Sequence, residues 1–184
     1  MFLSRQTTTA LRSTVSFPEL QSIRLKLRSL QDKDLTALYA LRSNEQVNRY
    51  LDRSPARSVE DAQAFISKIR DATAGNQSFY WGITLKNQPE LIGAICIRNL
   101  SVDRKTAELG YELHPDSQGK GYMQEAITLV IRFAFERIGL SVLEANTHKD
   151  NHASTKLLLK NRFELETEKS DPDNKNNLIY CLRH

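Results

Sequence analysis

Cysteine is scarce in this chain, and its scarcity narrows the choice of function. Only Cys96 and Cys181 occur among 184 residues, and they lie far apart in sequence. There is no Cys-x-x-Cys pair, which argues against a disulfide framework and against a zinc site of common spacing. We therefore expect no metal and a reducing compartment, the cytoplasm. Cys96 lies between Ile95 and Ile97, which predicts a buried core thiol rather than a nucleophile.

Long apolar runs and a dominant charge are also missing. No apolar run approaches the ~18–20 residues that a membrane-spanning helix needs, so we expect no membrane partner. The chain has 26 Lys and Arg against 22 Asp and Glu, a net charge of +4. No dense basic tract carries interleaved aromatics, so we expect no nucleic-acid partner. The apolar fraction of 40% is enough for one packed core.

The first twenty residues differ from the rest in composition. They carry Arg5, Arg12 and many Ser and Thr, and Glu19 is their first acid. This composition faintly resembles an organelle transit peptide, although it lacks a clean amphipathic pattern. We expect residues 1–21 to be a flexible arm, or a strand given to a partner, and residues 22–184 to be a single domain.

The remaining sequence alternates between strand and helix patterns, which predicts one layered α/β domain. Seven strands are predicted, at residues 23–28, 79–85, 91–100, 106–113, 142–147, 163–168 and 178–182. Four helices are predicted between them. Asp32 is the expected N-cap of the first, Ser58 and Asp61 form a capping box for the second, Gly139 ends the third, and Asn151 or Asp150 caps the fourth.

The chemically informative stretch is residues 108–126, where a strand leads through a glycine-bearing loop into a helix. Such a junction presents backbone N–H groups and the positive helix end to an anion. Gly119 and Gly121 let the backbone approach a phosphate, and Lys120 adds charge. The P-loop and dinucleotide patterns both fail, the latter because position 124 is Gln. Taken alone, the junction is equally typical of a tight turn that feeds a helix.

The residues Gln118-Gly119-Lys120-Gly121-Tyr122-Met123-Gln124-Glu125-Ala126 resemble a known motif. This is the pyrophosphate-binding motif of the GNAT superfamily of N-acetyltransferases, Gln/Arg-x-x-Gly-x-Gly/Ala. Gln118 and Gly121 match it, and Met123 departs from it. The longer form Gly-x-Gly-Tyr-x-x-Glu-Ala is similar to the RimJ/RimL branch, which acetylates ribosomal-protein N-termini and related amines.

Three other segments resemble this branch in order and spacing: residues 24–28, residues 108–113 and the Asn151-x-x-Ser154 motif. The resemblance covers residues 22–184. It implies the GNAT fold, an α/β fold (α+β in some schemes) with a mixed, mostly antiparallel seven-stranded sheet and helices on both faces. In that fold two parallel strands splay apart, here residues 106–113 and 142–147. Gly110 is expected to permit a bulge in the first strand.

The resemblance also implies the chemistry, which is direct transfer of an acetyl group from acetyl-CoA to a primary amine within a ternary complex. The pantetheine arm would run along the backbone near Tyr111 and Leu113, and the pyrophosphate would meet the loop N–H groups. The full set of expected cofactor-binding residues is Tyr111, Leu113, Gln118, Gly119, Lys120, Gly121, Tyr122, Met123, Asn151 and Ser154.

Two residues are the candidate proton-transfer groups. Many family members carry a Tyr seven residues after the motif Asn, but that position is Leu158 here, so the resemblance favours Ser154 as the acid. Ser154 and Asn151 would otherwise only bond the first turn of a helix. Glu108 is the candidate base, acting through water, and Glu112 is the alternative. The two glutamates share a face if the strand is regular, and a bulge at Gly110 would separate them.

The acceptor is left open by the sequence. A protein or peptide N-terminal α-amine is expected, with a small-molecule amine or a non-catalytic acyl-CoA sensor as alternatives. Arg49, Tyr50 and Arg53 are expected to border the acceptor site, and dimers are frequent in the family, which makes a homodimer one option. The family usually has Gly-Phe after the last helix, so Arg162 before Phe163 predicts a strained left-handed backbone unless Asn161 takes that conformation.

Overall fold

The computed structural model describes residues 17–75 and 77–184, which form one eight-stranded sheet with helices on both faces. The strands are Leu20–Gln21 (β1), Leu25–Arg28 (β2), Phe79–Leu85 (β3), Gln88–Arg98 (β4), Thr106–Leu113 (β5), Val142–His148 (β6), Glu164–Leu165 (β7) and Asn177–Arg183 (β8). The α-helices are Leu35–Ser43 (α1), Glu45–Asn48 (α2), Val59–Ala74 (α3), Tyr122–Arg132 (α4) and His152–Lys160 (α5). Short 3₁₀ turns cover Asp32–Asp34 and Pro115–Ser117, and α4 continues as a π-helix over Phe133–Ile138.

The strand order is β1-β2-β3-β4-β5-β6-β8-β7, and only β5 and β6 run parallel. All other neighbours are antiparallel. This confirms the predicted fold class, a mixed and mostly antiparallel sheet with one parallel pair. The sheet has eight strands rather than seven, because Leu20 and Gln21 pair with Leu27 and Lys26 as a short edge strand.

The described part of the expected N-terminal arm therefore packs on the domain. Besides β1, the Phe17 ring lies 5.7 Å from the Trp81 ring, and the Trp81 indole N–H donates to the Pro18 carbonyl at 2.7 Å. The transit-peptide reading, with Arg5 and Arg12, concerns residues outside those described. No helix in the two described ranges is long and apolar enough to cross a membrane.

Local sequence rules set most element boundaries. The capping box of α3 is present, with Ser58 Oγ accepting from Asp61 N–H and the Asp61 carboxylate accepting from Ser58 N–H. Gly139 ends the α4 helix with φ of +81°, as predicted. Asn151 is the N-cap of α5. The N-cap expected at Asp32 was wrong, because Asp34 is the N-cap of α1 and Gln31 is the N-cap of the 3₁₀ turn before it.

Two predicted strands differ most from the structure in their limits. β4 begins at Gln88 instead of residue 91, because the β3–β4 hairpin turns tightly at residues 86–87. The strand predicted at residues 163–168 is reduced to Glu164–Leu165, because only these two residues pair with β8.

The core lies in two layers, one on each face of the sheet. On one face, α4 and α5 cover buried residues of the central strands, among them Trp81, Ile95 and Leu109. On the other face, α1 and α3 pack on a smaller cluster that includes Tyr80 and Ala94. Successive residues of a strand face opposite layers, so the register of β5 decides which of its side chains meet which helices.

Candidate active site

The parallel pair β5 and β6 separates soon after it starts, and the gap is the central feature of the site. Pairing covers only Thr106, Ala107 and Glu108 on β5, opposite Val142, Leu143 and Glu144 on β6. β5 continues to Leu113 and β6 to His148 without pairing with each other. The predicted splay is therefore confirmed. We call the gap beyond Glu108 and Glu144 the cleft.

The bulge expected at Gly110 is not there. β4 and β5 keep a regular register from Gly93 opposite Leu113 to Arg98 opposite Glu108. An ideal Cβ at Gly110 would come within 3.0 Å of the Cys96 sulfur, so close packing against β4 accounts for glycine at this position. Because the strand is regular, Glu108 and Glu112 lie on the same face.

The loop that leads into α4 has the geometry of an anion site. Gly119 and Gly121 have φ of +72° and +78°, the left-handed region that favours glycine. Gly121 is the N-cap of α4, and no side chain in the described part of the chain caps the helix, so these residues leave the N–H groups of the first turn open to a ligand. An ideal Cβ at Gly119 would meet nothing within 4 Å, so there is space above the loop.

The Arg24 guanidinium lies beside this loop. From its sequence, Arg24 was predicted to be part of the opening strand and was not expected at the cofactor site. Its guanidinium donates to the Lys120 carbonyl at 3.0 Å and lies 4.8 Å from the centre of the Tyr122 ring. It also forms an ion pair of 2.7 Å with Glu125, which joins β2 to α4. A pyrophosphate is bound by open N–H groups, a helix N-terminus and an arginine. The loop residues and Arg24 therefore fit the pyrophosphate of CoA.

The other expected cofactor residues have individual positions. The Gln118 side-chain amide donates to the Leu113 carbonyl at 3.0 Å, so it fixes the start of the loop against the end of β5. The Met123 side chain is buried in the core, so only the backbone N–H of Met123 is a candidate to bind the pyrophosphate. Lys120 is exposed. Tyr111 and Leu113 lie on the part of β5 that borders the cleft.

The first turn of α5 places a hydroxyl at the cleft. Asn151 Oδ1 accepts from Ser154 N–H at 3.2 Å, which is the ordinary capping interaction. Ser154 is buried, and its hydroxyl lies 2.8 Å from the Tyr111 hydroxyl, so the pair forms a hydrogen bond from α5 to β5. Burial raises the pKa of Tyr111 to about 12, although its hydrogen bond with Ser154 opposes the rise.

The motif identified Ser154, but nothing local identified the Tyr111 side chain. Its hydroxyl reaches Ser154 because β5 is regular and α5 packs over the same face, which are both non-local facts. The result is a pair of hydroxyl groups in a chain that has Leu158 where many family members have a tyrosine. The only sequence signal was a tyrosine on the strand that precedes the loop.

The two candidate carboxylates have different surroundings. Glu108 is the last residue of β5 that pairs with β6. It forms an ion pair with Arg98, and the Asn99 side-chain amide donates to it at 2.8 Å. Glu112 accepts from the Tyr80 hydroxyl at 2.9 Å and from Arg53 at 2.5 Å. The Glu108 side chain is 15% exposed and the Glu112 side chain 6%. Glu108 is thus the more accessible carboxylate and lies where the cleft begins.

The predicted acceptor residues come from the connection between α1 and α3. The Tyr50 ring stacks on His148 at the end of β6, with centroids 5.5 Å apart, and Arg49 lies 5.2 Å from the Tyr50 ring centre. Asp52 accepts from Asn174 at 2.7 Å and from Asn177 at 2.6 Å. This segment therefore closes one side of the site against β6 and the loop before β8.

Comparison with known proteins agrees with this geometry. A family model described as an acetyltransferase (GNAT) domain matches residues 24–164. The chain belongs to the GNAT acetyltransferase family. It is therefore an N-acetyltransferase that uses acetyl-CoA. Among residues 17–75 and 77–184, no group of His, Cys, Asp and Glu side chains could hold a metal ion.

Individual relatives of this GNAT protein support the RimJ/RimL-like branch in a broad sense. The chain is 36% identical to the uncharacterized N-acetyltransferase YoaA of Bacillus subtilis over 82% of this chain and 85% of YoaA. It is 29% identical to the [ribosomal protein uS5]-alanine N-acetyltransferase of Escherichia coli over 84% and 82% of the two chains. A solved structure of RimL, the ribosomal L7/L12 alpha-N-protein acetyltransferase in complex with coenzyme A, has a TM-score of 0.76 at 20% identity and covers 88% and 95% of the two chains.

Proposed function

We propose that this enzyme transfers an acetyl group to the α-amine at the N-terminus of a protein or peptide. The observation that carries the proposal is the cleft, which has a hydroxyl pair on one side and Glu108 at its start. The similarity to a ribosomal-protein alanine N-acetyltransferase over most of both chains supports a protein acceptor. A cytoplasmic site of action is part of the proposal, because Cys96 and Cys181 are both free thiols.

The chain would hold acetyl-CoA at two places. Backbone N–H groups of residues 119–123, together with Arg24, would bind the pyrophosphate. Backbone groups of Tyr111 and Leu113 border the cleft and would pair with the pantetheine arm as a strand does. When bound, acetyl-CoA supplies the activated acetyl thioester.

The side chains at the cleft would move the two protons that the reaction requires. Glu108 accepts, through a water molecule, the proton that the acceptor ammonium must lose before its nitrogen can bond to the acetyl carbon. Ser154 donates a proton to the sulfur when the carbon–sulfur bond breaks. Tyr111 holds the Ser154 hydroxyl in position, passes it a proton in return, and regains the second proton that the acceptor nitrogen releases as the amide forms. General acid–base help of this kind contributes about 10²–10⁴-fold in rate.

A small-molecule amine is the second candidate, and one set of contacts favours it. Asp52 and Tyr50 connect the α1–α3 segment to β6 and to the loop before β8, which narrows the approach to the cleft. An extended peptide N-terminus is itself narrow, so this observation does not displace the first candidate. The sensor alternative is set aside, because the chain belongs to an acetyltransferase family.

The test is a panel assay of thiol release from acetyl-CoA, with N-terminal peptides, free amino acids, polyamines and aminoglycosides as acceptors. Turnover with peptides, together with its loss in Glu108→Gln, supports the proposal. Turnover restricted to small amines would replace the first candidate with the second. The oligomeric state would be measured in parallel by sedimentation, because a homodimer remains a prediction.

A further inference from the structure

The α1–α3 segment and the end of α1 carry more positive charge than their neighbours neutralise. Arg53 donates to Glu112 at 2.5 Å and to Asn48 at 2.9 Å. Arg42 lies 3.7 Å from the same carboxylate. Two guanidinium groups therefore share one carboxylate, and one positive charge is left over. We call Arg42 and Arg53 the arginine pair.

Other carboxylates near the arginine pair are engaged elsewhere. Asp61 accepts from the backbone N–H groups of Arg57 and Ser58 as part of the α3 capping box. Asp52 accepts from the side-chain amides of Asn174, in the loop before β8, and of Asn177, the first residue of β8. Within the described residues, neither of these carboxylates forms an ion pair with the arginine pair, whose ion pairs are both with Glu112.

The arginine pair is held in place by its neighbours and is only partly buried from solvent. The Arg42 guanidinium lies 3.7 Å from the centre of the Phe65 ring. The Arg42 and Arg53 side chains are 15% and 22% exposed. Burial and then the positive charge of Arg53 lower the pKa of Arg42, which is the environment of a cation that an added anion would stabilise. Within residues 17–75 and 77–184, hydrogen bonds of the Arg53 guanidinium use Nε and Nη2, which leaves Nη1 for a ligand.

Arg42 also lines a surface pocket of about 440 Å³, together with Ser54, Pro55, Ala56, Arg57 and Asp61. The pocket gives an acceptor side chain room to reach the arginine pair from outside. Arg57, which is exposed, adds a second arginine to its wall. Two arginines against the single carboxylate of Asp61 leave the pocket wall net positive, which favours a carboxylate over a polycation.

The distance from the proposed base Glu108 limits which acceptor group can use this site. Glu112, which holds the arginine pair, is four residues beyond Glu108 on the same face of a regular strand. At a strand rise of ~3.3 Å per residue, that is about 13 Å. An extended peptide covers this distance in roughly four residues at ~3.3–3.6 Å each, and fewer when a side chain supplies part of the reach.

We propose that the arginine pair selects acceptor peptides that carry an acidic side chain within their first four residues. This inference rests on the proposed peptide acceptor and names its substrate class. An amine without an anionic group would bind with the extra positive charge unmatched, and a polyamine would be repelled.

The test compares two acceptor peptides that differ only by Glu or Gln at the third residue. For the wild-type enzyme we expect kcat/KM to be about tenfold higher for the Glu peptide, and we expect the ratio to shrink as salt is added. A third peptide with Lys at this residue should fall below the Gln peptide. This comparison needs no variant and is not affected by folding defects.

Substitutions of Arg53 test whether the preference for the Glu peptide depends on the arginine pair. Arg53→Gln should bring the Glu/Gln ratio close to one, and Arg53→Glu should reverse it. Arg70→Gln is the matched control, because Arg70 is an exposed arginine on α3 that pairs with Asp32, and it should keep the wild-type ratio. A wild-type ratio near one, or a ratio unchanged in Arg53→Gln, would overturn this inference alone. Absence of turnover on every peptide would overturn the proposed peptide acceptor and this inference with it.

Discussion

Two hydroxyl groups, one from each side of the cleft, form the proton donor that we propose for the active centre. Ser154 comes from the first turn of α5, and Tyr111 comes from β5 at 2.8 Å. Because burial raises the pKa of Tyr111 to about 12, its hydroxyl stays protonated throughout the range in which such an enzyme can be assayed. The Tyr111 and Ser154 pair can thus donate at neutral pH without a histidine.

Removing the Ser154 hydroxyl should slow the reaction without weakening CoA binding. We expect Ser154→Ala to lower kcat by about 10²-fold, the lower range for general acid catalysis. Tyr111→Phe should lower it less, because Ser154 can still donate. The Kd of CoA from calorimetry should stay within about threefold of wild type, since the backbone groups that bind CoA are intact.

Thr155 provides the matched control for this pair. Its hydroxyl is buried one residue away and has no hydrogen-bond partner within the described residues. Thr155→Val should therefore leave kcat near wild type. A Ser154→Ala enzyme with wild-type kcat would remove Ser154 from the mechanism. A wild-type pH–rate profile that reported a tyrosine ionisation below pH 10 would contradict the role given to Tyr111.

Arg162 carries the backbone strain that the sequence predicted. Its φ is +65°, whereas Asn161 has φ of −91°, so the alternative that Asn161 takes the left-handed conformation was wrong. A residue with a Cβ pays about 1 kcal/mol in this region, and glycine does not. We expect Arg162→Gly to raise the free energy of unfolding by about 1 kcal/mol, measured by urea denaturation.

Lys160→Gly is the control for that substitution. Lys160 is the last residue of α5, where glycine should destabilise the helix by up to about 1 kcal/mol. The two glycine variants should therefore shift stability in opposite directions. Destabilisation by Arg162→Gly would show that the Arg162 side chain makes a contact worth more than the strain.

At the scale of elements, the loop before α4 has a backbone geometry that suits a bound anion, and we propose that it holds the pyrophosphate. Gly119 and Gly139 have the same type of backbone, with φ of +72° and +81°, and neither has an atom within 4 Å of its ideal Cβ. Gly119 precedes α4, and Gly139 follows the helix. Alanine should therefore cost similar stability at both sites, about 1 kcal/mol.

Of these two alanine variants, only Gly119→Ala should weaken the binding of CoA. Its new methyl group would occupy space above the loop, and we expect the Kd of CoA to rise at least tenfold. Gly139→Ala should bind CoA as the wild type does. Equal affinity in both variants would show that the loop does not hold the pyrophosphate.

A buried ion pair connects β2 to the turn before α1. The Arg28 guanidinium makes two hydrogen bonds to Asp34, of 2.6 and 2.7 Å, and both side chains are less than a tenth exposed. Burial alone would raise the pKa of Asp34, but hydrogen bonds from Arg28 and from the Gln31 N–H outweigh it and lower that pKa. The pair therefore stabilises the fold above the unfolded pKa of ~3.9 and loses its effect as pH falls through the folded pKa.

Asp34→Asn should cost about 3 kcal/mol at neutral pH, because it leaves Arg28 buried without its charge partner. The difference from wild type in urea denaturation should shrink when pH is lowered below about 4. Asp32→Asn is the control, since Asp32 forms an exposed pair with Arg70 and should cost less than about 1 kcal/mol. A difference that does not change with pH would contradict the assignment to the Asp34 carboxylate.

Over the whole molecule, the backbone geometry of the proposed cofactor loop and helix cap could be predicted from sequence, and the contacts of the proposed acceptor side could not. The loop at Gly119 and Gly121 and the cap at Asn151 are contiguous motifs whose geometry is local. The acceptor side joins segments far apart in the chain, such as Arg53 with Glu112 and Asp52 with Asn177. Residue periodicity carries no information about such pairings. The prediction of a bulge at Gly110 was wrong for the same reason. Glycine is required at this position by its close packing against Cys96 on β4, which is a non-local contact.

The most direct test of the account is to locate the acetyl group on an acceptor. The purified enzyme would be incubated with acetyl-CoA and a peptide that has a free α-amine, an acidic third residue and one lysine, and fragment masses would be read by mass spectrometry. We predict an added acetyl group on the N-terminal fragment and none on the lysine side chain. Acetylation of the lysine alone, or of neither amine while free amino acids or polyamines are modified, would contradict the proposed α-amine acceptor.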